Sequence, residues 1–455
     1  MFAPFPEEEA SLWCRKIIDS IENKEIKCKR KNLSKERKNH GIMLGVLVAR
    51  DSLGGKHVLV SLSGFDAELF IPKKSSLSFV EVVPPLVAEK KINKALKKND
   101  LRIHRLTKKV NSLKKKRKES RIPLLREMEC IEKRKLLTTE SLLKIHNLYG
   151  FTCADGKLKS LKEVCKEYNN SKLPPTGTGD CAEPRLLDYA FRHSFVPLSM
   201  CEVYYGKENS VRKNLRNYTP CDERCGIVLP SMLGLKIVYR DKNLIVVNKQ
   251  SGVLSVPGRG IEKSDCIVNR VKRLFPECIE QPAVHRLDME TSGLLVLAFD
   301  KETHRALNKQ FEEGTVKKEY VALLDGVTTK KNIPFHGISE LYFRLDVEHR
   351  PHQIWDRENG KKAVTEWQVL GFQKYTSPNG IKRDVTRILF IPHTGRTHQL
   401  RLASSDAHGF GIPIIGDTLY GKCEEGERLM LHARYLEFTH PATGERMKFE
   451  CREEF

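Results

Sequence analysis

A polar segment followed at once by an apolar run constrains the fold of this chain more than any other feature. The segment reads His-Arg-Leu-Asp-Met-Glu-Thr-Ser-Gly over residues 285–293, and the apolar run occupies residues 294–299. A short apolar run bounded by Gly293 and Asp300 is typical of a buried strand. The polar segment is therefore predicted to be a loop held by a rigid strand, a common setting for catalytic residues. Asp288 is the candidate acid in this loop, with Glu290 as its rival.

Two dense motifs follow downstream. The first reads Gly-Arg-Thr-His-Gln-Leu-Arg at 395–401, and the second reads Ile-Pro-Ile-Ile-Gly-Asp-Thr-Leu-Tyr-Gly at 412–421. Together with the segment at 285–293, and in this order, they resemble the RluA family of RNA pseudouridine synthases. The resemblance covers residues 235–455 and includes the stretches 237–249, 251–258, 429–433 and 440–445.

Within that family, three features are most similar to the RluA subgroup. They are Met289, the Arg-Pro-His-Gln motif at 350–353 and the Gly-Lys-Lys-Ala motif at 360–363. Members of the subgroup modify one uridine in the anticodon loop of tRNA and one in large-subunit ribosomal RNA. The resemblance implies an α+β catalytic domain built on a mixed, mostly antiparallel sheet. It also implies an isomerase, because pseudouridylation detaches uracil from ribose, turns it and reattaches it through carbon.

The resemblance assigns three catalytic residues. Asp288 matches the family's catalytic aspartate, which either attacks the ribose or promotes elimination at the sugar. Arg396 matches the arginine that pairs with it, since a carboxylate in a partly dry pocket keeps its charge only beside a cation. Tyr320 matches the active-site tyrosine, whose ring stacks on uracil and whose hydroxyl assists proton removal at C5. The alternatives are a surface cation for Arg396 and a core residue for Tyr320.

Five further residues of these motifs are candidates for RNA binding. Arg286 matches the residue that helps to displace the target base, because an arginine plane can fill the stack left by a flipped nucleotide. His285 binds RNA or orients the loop. His398, Gln399 and Arg401 bind RNA or brace Arg396. One departure from the family is Ala403, where relatives commonly have histidine, and the loop at 404–411 is also longer than in short relatives.

Composition agrees with an RNA partner. The chain has 455 residues and a formal net charge of +22, which favours a polyanion as partner. Its 13 cysteines form no disulfide framework and its start lacks a signal peptide, so we expect reduced thiols and a cytoplasmic protein. No uncharged apolar run is long enough for a membrane span. The chemistry involves neither redox change nor phosphate transfer, so no cofactor is expected.

The amino-terminal half divides into three predicted segments. Residues 1–85 contain a basic stretch at 24–38 and a β-hairpin, in which 42–48 and 57–62 flank a glycine turn. Residues 86–140 form a basic helical arm, because Leu96, Ile103 and Val110 repeat every seven residues beside a second seam that contains Asn99. Pro123 is predicted to break the arm into two helices that pack as a hairpin, and a dimerising coiled coil that would give self-association is the alternative.

Charge and cysteine patterns in this half leave two questions open. Lysines and an arginine at 108–118 either contact phosphates or form a solvated face. Residues 141–230 form an accessory region whose Gly-Thr-Gly segment lacks the remainder of a phosphate-binding loop, so no nucleotide cofactor is expected. Cys181, Cys201, Cys221 and Cys225 are candidate zinc ligands, but their spacing lacks a second tight pair or a histidine. Structural thiols are therefore favoured, and no metal is predicted.

The sequence thus predicts an RNA pseudouridine synthase that acts on a tRNA anticodon-loop uridine, on large-subunit ribosomal RNA, or on both. The alternative is a non-catalytic RNA-binding or ribosome-assembly factor that retains the fold. Asp288, Tyr320 and Arg396 are all present, which argues against that alternative.

Overall fold

The computed structural model describes residues 4–30, 41–64, 67–119, 124–168, 171–172, 174–260 and 263–455. The chain divides into two compact units, Met1–Gly234 and Leu235–Phe455. Residues 31–38 of the predicted basic stretch and Pro123 lie outside the described residues. In the described part of the chain, no helix combines the length and the hydropathy that crossing a bilayer would require.

The amino-terminal unit is built around a five-stranded sheet in the order β5-β3-β2-β8-β9, beside two strand pairs, β1–β4 and β6–β7. Its strands are β1 (Lys27–Arg30), β2 (Ile42–Arg50), β3 (Lys56–Leu62), β4 (Ala67–Phe70), β5 (Glu81–Val82), β6 (Gly150–Thr152), β7 (Leu158–Ser160), β8 (Val196–Tyr205) and β9 (Asn217–Tyr218). Strands β2 and β3 pair as the predicted antiparallel hairpin. Strand β8 pairs with the other edge of β2, so residues from 1–85 and 141–230 share one sheet.

Some helices of this unit pack on the sheet, and others connect its strands in the sequence. They are α1 (Glu8–Glu22), α2 (Glu89–Glu119), α3 (Leu124–His146), α4 (Leu161–Tyr168), α5 (Ala182–Arg192) and α6 (Cys225–Leu233). Helix α1 buries Cys14, Ile17 and Ile18 in an apolar cluster with residues of β2, β3 and β8. This burial removes apolar surface from water and holds the helix on the sheet.

Helices α2 and α3 pack on each other and form the predicted helical hairpin. The seam residue Asn99 is buried, and its side-chain amide donates a 3.5 Å hydrogen bond to the Leu137 carbonyl oxygen of the second helix. Val110 and Cys130 are buried as well, one from each helix. The heptad seam of α2 is thus buried within the chain at Asn99 and Val110.

The carboxy-terminal unit is built on a ten-stranded sheet in the order β10-β11-β12-β18-β13-β17-β16-β14-β15, with β19 paired to β18. Its strands are β10 (Ile237–Arg240), β11 (Leu244–Lys249), β12 (Ser292–Ala298), β13 (Lys317–Leu324), β14 (His336–Leu345), β15 (Gln353–Trp355), β16 (Lys361–Thr376), β17 (Lys382–Pro392), β18 (Leu431–Thr439) and β19 (Arg446–Glu450). Only the β12–β18 pair is parallel among the described strands of this sheet. The predicted α+β class with a mixed, mostly antiparallel sheet is confirmed.

Three helices of this unit, α7 (Ile267–Leu274), α8 (Lys301–Glu312) and α9 (Gln399–Ser405), lie between strands, as does a 3₁₀ turn at Thr328–Lys331. Helix α8 begins at Asp300, whose carboxylate accepts a 2.8 Å hydrogen bond from the Thr303 backbone N–H. Strand β12 is buried along its whole length, as its apolar sequence predicts. Local sequence patterns therefore define the elements that surround the candidate loop.

The sheet register brings the start of β12 close to Tyr320. Gly293 pairs with Ala433 of β18, and Ala433 pairs in turn with Tyr320 of β13. Gly293 has a φ of +119°, and a Cβ atom there would lie 2.3 Å from the Ala433 carbonyl oxygen. Only glycine allows this close approach of the two backbones. The loop before β12 is thereby held next to the tyrosine on β13.

Candidate active site

The predicted site residues come together around one cavity. The cavity has a volume of about 920 Å³ and lies in the carboxy-terminal unit. Its lining includes all eight residues that the sequence motifs predict: Asp288, Tyr320, Arg396, His285, Arg286, His398, Gln399 and Arg401. They arrive from the loop before β12, from β13 and from the segment that joins β17 to α9.

The loop that carries Asp288 is fixed on both sides by residues 249–255. The Ser255 hydroxyl donates to the Leu287 carbonyl oxygen at 2.7 Å and accepts from the Leu287 N–H at 3.0 Å. The Ser251 hydroxyl donates to the Glu290 carbonyl oxygen at 2.6 Å. These bonds restrain the backbone immediately before and after the acid, so the position of Asp288 is set by the fold.

Lys249 also supports this loop, through a hydrogen bond to its backbone at Met289. Its side chain is fully buried, and its Nζ donates to three backbone carbonyl oxygens, those of Gln250 at 3.0 Å, Val253 at 2.7 Å and Met289 at 2.9 Å. Burial lowers the pKa of Lys249 to about 7, and the charge of Asp288 opposes this lowering. Three carbonyl acceptors match the three N–H donors of an ammonium group, whereas the neutral amine has one donor fewer.

Asp288 lies beside His398 and shares the cavity with Tyr320. Its carboxylate is one-fifth exposed, and its Oδ1 lies 4.0 Å from His398 Nε2. The pKa of Tyr320 is raised by burial first and by the charge of Asp288 second, so this side chain stays a neutral phenol. A carboxylate and a phenol therefore face the same cavity, and the phenol can give or accept a hydrogen bond without carrying charge.

Arg396 lies on the exposed side of the cavity. Its Nε donates a 3.0 Å hydrogen bond to the Lys362 carbonyl oxygen, and its backbone N–H donates to the Gln399 side chain at 3.0 Å. Among the described residues, the predicted ion pair between Arg396 and Asp288 is not formed. The reason is local: the carbonyl of β16 holds the guanidinium at the rim, while His398 occupies the position beside the acid.

Gln399 and His398 shape the segment around Arg396. The buried amide of Gln399 donates to the Val364 carbonyl oxygen at 3.0 Å and to the Thr365 hydroxyl at 2.9 Å, which ties the segment to β16. His398 has a left-handed backbone, with φ at 54°, that turns the chain into α9. For Gln399 this geometry favours the bracing role over contact with RNA.

A hydrogen-bonded chain leads from His398 to the 412–421 motif. His398 Nδ1 lies 2.8 Å from the Tyr420 hydroxyl, which also accepts a 2.8 Å bond from the Gln353 backbone N–H. Burial lowers the pKa of His398 and raises that of Tyr420 to about 12. These bonds are satisfied when the Tyr420 O–H donates to Nδ1, which leaves the imidazole proton on Nε2 facing Asp288.

Arg401 is buried at the centre of an ionic cluster. Its guanidinium donates to Asp417 at 2.9 and 2.6 Å and to Glu290 at 2.8 Å. Glu290 also accepts a 2.6 Å bond from the Thr418 hydroxyl. The rival acid Glu290 thus has both carboxylate oxygens engaged, which leaves Asp288 as the acid free to meet a substrate. The same cluster favours the bracing role for Arg401.

His285 and Arg286 differ in their surroundings although they are adjacent. His285 Nε2 accepts a 3.1 Å bond from the Val296 N–H, and its ring stacks on Phe311 at 4.7 Å. Burial lowers the pKa of His285 to about 3, so the ring is a neutral acceptor that orients the loop. Arg286 lies at the cavity rim, where a guanidinium can meet RNA.

The positioning residues Lys249, Ser255, Tyr420 and Asp417 received no role from the sequence, although each lies in or beside a motif of the family resemblance. The partners of Lys249 and Ser255 are backbone carbonyl groups, which every residue has, so side-chain identity does not reveal them. A lysine at the end of a fully buried strand was the available signal, because an uncompensated lysine is rarely buried.

The chain is similar to known RNA pseudouridine synthases. The family model for RNA pseudouridylate synthase matches residues 243–406. The dual-specificity RNA pseudouridine synthase RluA of Escherichia coli (strain K12) is 38% identical over 244 residues, which are 53% of this chain and 99% of that protein. Its namesake from Haemophilus influenzae is 42% identical over 224 residues, which are 49% of this chain and 94% of that protein.

A solved structure is similar as well. Human RNA pseudouridylate synthase domain containing 1 matches with a TM-score of 0.39 and 30% identity, over 49% of this chain and 84% of the human one.

The two bacterial enzymes are matched over 99% and 94% of their length, at 38% and 42% identity. The chain therefore belongs to the RluA family of RNA pseudouridine synthases and is an isomerase whose substrate is RNA.

Proposed function

We propose that residues 235–455 isomerise uridine to pseudouridine in a tRNA anticodon loop, in large-subunit ribosomal RNA, or in both. The observation that carries this proposal is the placement of Asp288, on a loop braced from both sides, in a cavity shared with a neutral tyrosine and rimmed by cations. The relatives above are named dual-specificity enzymes, and the motifs at 350–353 and 360–363 resemble theirs.

In the proposed reaction, Asp288 acts at the glycosidic bond of a flipped uridine, as nucleophile at the ribose or as the base for elimination. The Tyr320 ring stacks on the freed uracil, and its hydroxyl handles the proton at C5. Arg396 supplies positive charge at the rim, within reach of an incoming phosphate or of the acid once RNA binds. Arg286 fills the stack that the flipped base leaves.

Mapping of the product tests this proposal. We expect the purified full chain to form pseudouridine at one position in an anticodon stem-loop transcript or in a large-subunit ribosomal RNA fragment, as read by chemical mapping at nucleotide resolution. A transcript with cytidine at the mapped position serves as the matched control. Binding to both RNAs without product in either would favour the alternative of a non-catalytic RNA-binding or assembly factor.

Substitution of Tyr320 separates its two proposed roles. Tyr320→Phe keeps the stacking ring and removes the hydroxyl, so we expect slower product formation after glycosidic cleavage and little change in RNA affinity. Tyr320→Ala also removes the ring and should weaken binding of the flipped base. Single-turnover rates with analysis of the RNA products check this, and wild-type turnover in both variants would make Tyr320 a core residue only.

The arm of α2 and α3 is proposed to bind RNA phosphates through Lys108, Lys109, Lys114 and Lys115. The side chains of residues 116–118 lie outside the described ones. Changing these four lysines to glutamine should lower the log–log salt slope of RNA binding by roughly 0.7 to 0.9 for each phosphate that a lysine no longer neutralises. The rate at saturating RNA should stay close to wild type.

The matched control for the arm removes four charges elsewhere on α2, in a Lys90, Lys91, Lys94 and Lys97 to glutamine variant. These lysines lie near the start of the helix. Equal salt slopes in both variants and in wild type would make the cluster a solvated face.

Self-association through the arm remains a proposal, and it rests on the heptads of α2. A cytoplasmic location also remains a proposal, and it rests on the free cysteines.

A further inference from the structure

The amino-terminal unit holds a cluster of three cysteines that the proposed function does not use. The sulfur atoms of Cys181, Cys221 and Cys225 all lie within 4.8 Å of one another. Cys181 precedes α5 as its N-cap residue, and Cys225 is the first residue of α6. Two segments about forty residues apart in sequence therefore deliver their thiols to one point. Cys201, which the sequence grouped with them, is not part of this cluster.

Cys221 and Cys225 lie on one tight turn that leads into α6. The Gly226 N–H donates to the Cys221 carbonyl oxygen at 2.9 Å, which closes the turn between the Cys-x3-Cys pair. The turn holds both thiols of this pair close to that of Cys181, and cysteine binds metal ions as the thiolate.

A buried carboxyl group adds a second and independent sign of a cation. Glu183 is 2% exposed, and its Oε2 has no hydrogen-bond partner in the described part of the chain. It lies on α5, two residues after Cys181. Glu202 is also buried nearby, and its Oε1 accepts from the Ala182 N–H at 3.1 Å. A buried carboxyl oxygen that lacks a hydrogen-bond partner, close in sequence to one of three gathered thiols, is the kind of polar group that a bound cation satisfies.

We propose that Cys181, Cys221 and Cys225 bind a zinc ion through their thiolates. Zinc takes sulfur ligands at about 2.3 Å in tetrahedral geometry, which sets sulfur atoms about 3.8 Å apart and fits the observed cluster. Cys221 is exposed, so a water molecule completes the coordination on the solvent side. The ion links the start of α5 to the start of α6.

Elemental analysis of the full chain tests the site. The protein is purified with a reductant and Zn²⁺, freed of excess metal, and compared with Cys221→Ser and with the control Cys423→Ser. Cys423 is an exposed cysteine of the other unit. We expect about one zinc per chain in wild type and in Cys423→Ser, and almost none in Cys221→Ser. Wild type without zinc, or Cys221→Ser with a full equivalent, would overturn the proposal.

Cobalt provides a readout that does not depend on a bound zinc surviving purification. Co²⁺ added to the metal-free chain should give thiolate-to-cobalt absorption in the near ultraviolet, and Zn²⁺ should displace it. This absorption should be absent from Cys221→Ser and present in Cys423→Ser. A chelator should lower the melting temperature of wild type and leave that of Cys221→Ser unchanged. A disulfide among the three cysteines in unreduced protein, without cobalt absorption after reduction, would instead assign them to redox chemistry.

Discussion

Asp288→Asn is expected to abolish pseudouridine formation while leaving the fold and RNA affinity intact. The amide has nearly the same shape as the carboxylate, but it can neither attack the ribose nor accept a proton. We expect the single-turnover rate on the mapped RNA to fall by about a thousandfold or more. The backbone of the loop should hold, because Lys249, Ser251 and Ser255 bind carbonyl and amide groups there rather than the Asp288 side chain.

Asp384→Asn is the matched control for this substitution. Asp384 is an exposed carboxylate on β17, where it pairs with Lys374. The same change of chemistry at that position should leave the rate and the RNA affinity near their wild-type values. If Asp288→Asn retained activity within about tenfold of wild type, the catalytic acid would have to be another residue. A lower melting temperature in Asp288→Asn would mean that the substitution damaged the fold.

Lys249→Met is expected to loosen the catalytic loop and destabilise the unit that carries it. Methionine fills a similar volume but donates no hydrogen bond, so the carbonyl groups of Gln250, Val253 and Met289 lose their shared donor inside the protein. The Met289 carbonyl keeps a 2.9 Å hydrogen bond from the Gly252 N–H, so the cost comes from the lost hydrogen bonds to a charged donor, and we expect a loss of about 2–3 kcal/mol in the free energy of unfolding. The rate should fall as well, because Asp288 is no longer held in one place.

The experiment is run at about pH 6, below the pKa of about 7, so that wild-type Lys249 carries its proton. Urea unfolding and single-turnover rates are measured for Lys249→Met and for Lys242→Met, an exposed lysine seven residues earlier. Lys242→Met should match wild type in both measurements. Unchanged stability and rate in Lys249→Met would mean that water or a rearranged loop satisfies the three carbonyl groups.

Features with local causes were the ones that the sequence predicted well. The buried strand after Gly293 and the hairpin of β2 and β3 each follow from neighbouring residues. The family resemblance predicted which residues belong to the site, and these residues line one cavity. What the sequence missed depends on residues distant in sequence. The pairing of β2 with β8 leaves no trace in either strand, because any strand edge offers the same N–H and carbonyl groups.

Side-chain partners were harder to predict than side-chain positions. Arg396 lines the cavity as expected, yet a backbone carbonyl rather than Asp288 receives its Nε. Cysteine spacing argued against a metal site, because Cys181 is far from the Cys221–Cys225 pair until the fold joins them. Both cases follow from tertiary structure, which fixes contacts that motif spacing does not encode.

The strand order of the amino-terminal sheet has a consequence for synthesis on the ribosome. Ile42 of β2 pairs with Tyr205 of β8, so one edge of β2 lacks its neighbour until the chain has grown through the arm and the region that follows it. At roughly 5–20 residues per second, that delay lasts on the order of ten seconds or more. During it, the apolar hairpin of β2 and β3 presents an open edge of the kind that pairs with other chains. The helices of the arm form from local contacts and return the chain toward its starting point, so they shorten the loop that must close once β8 has been made.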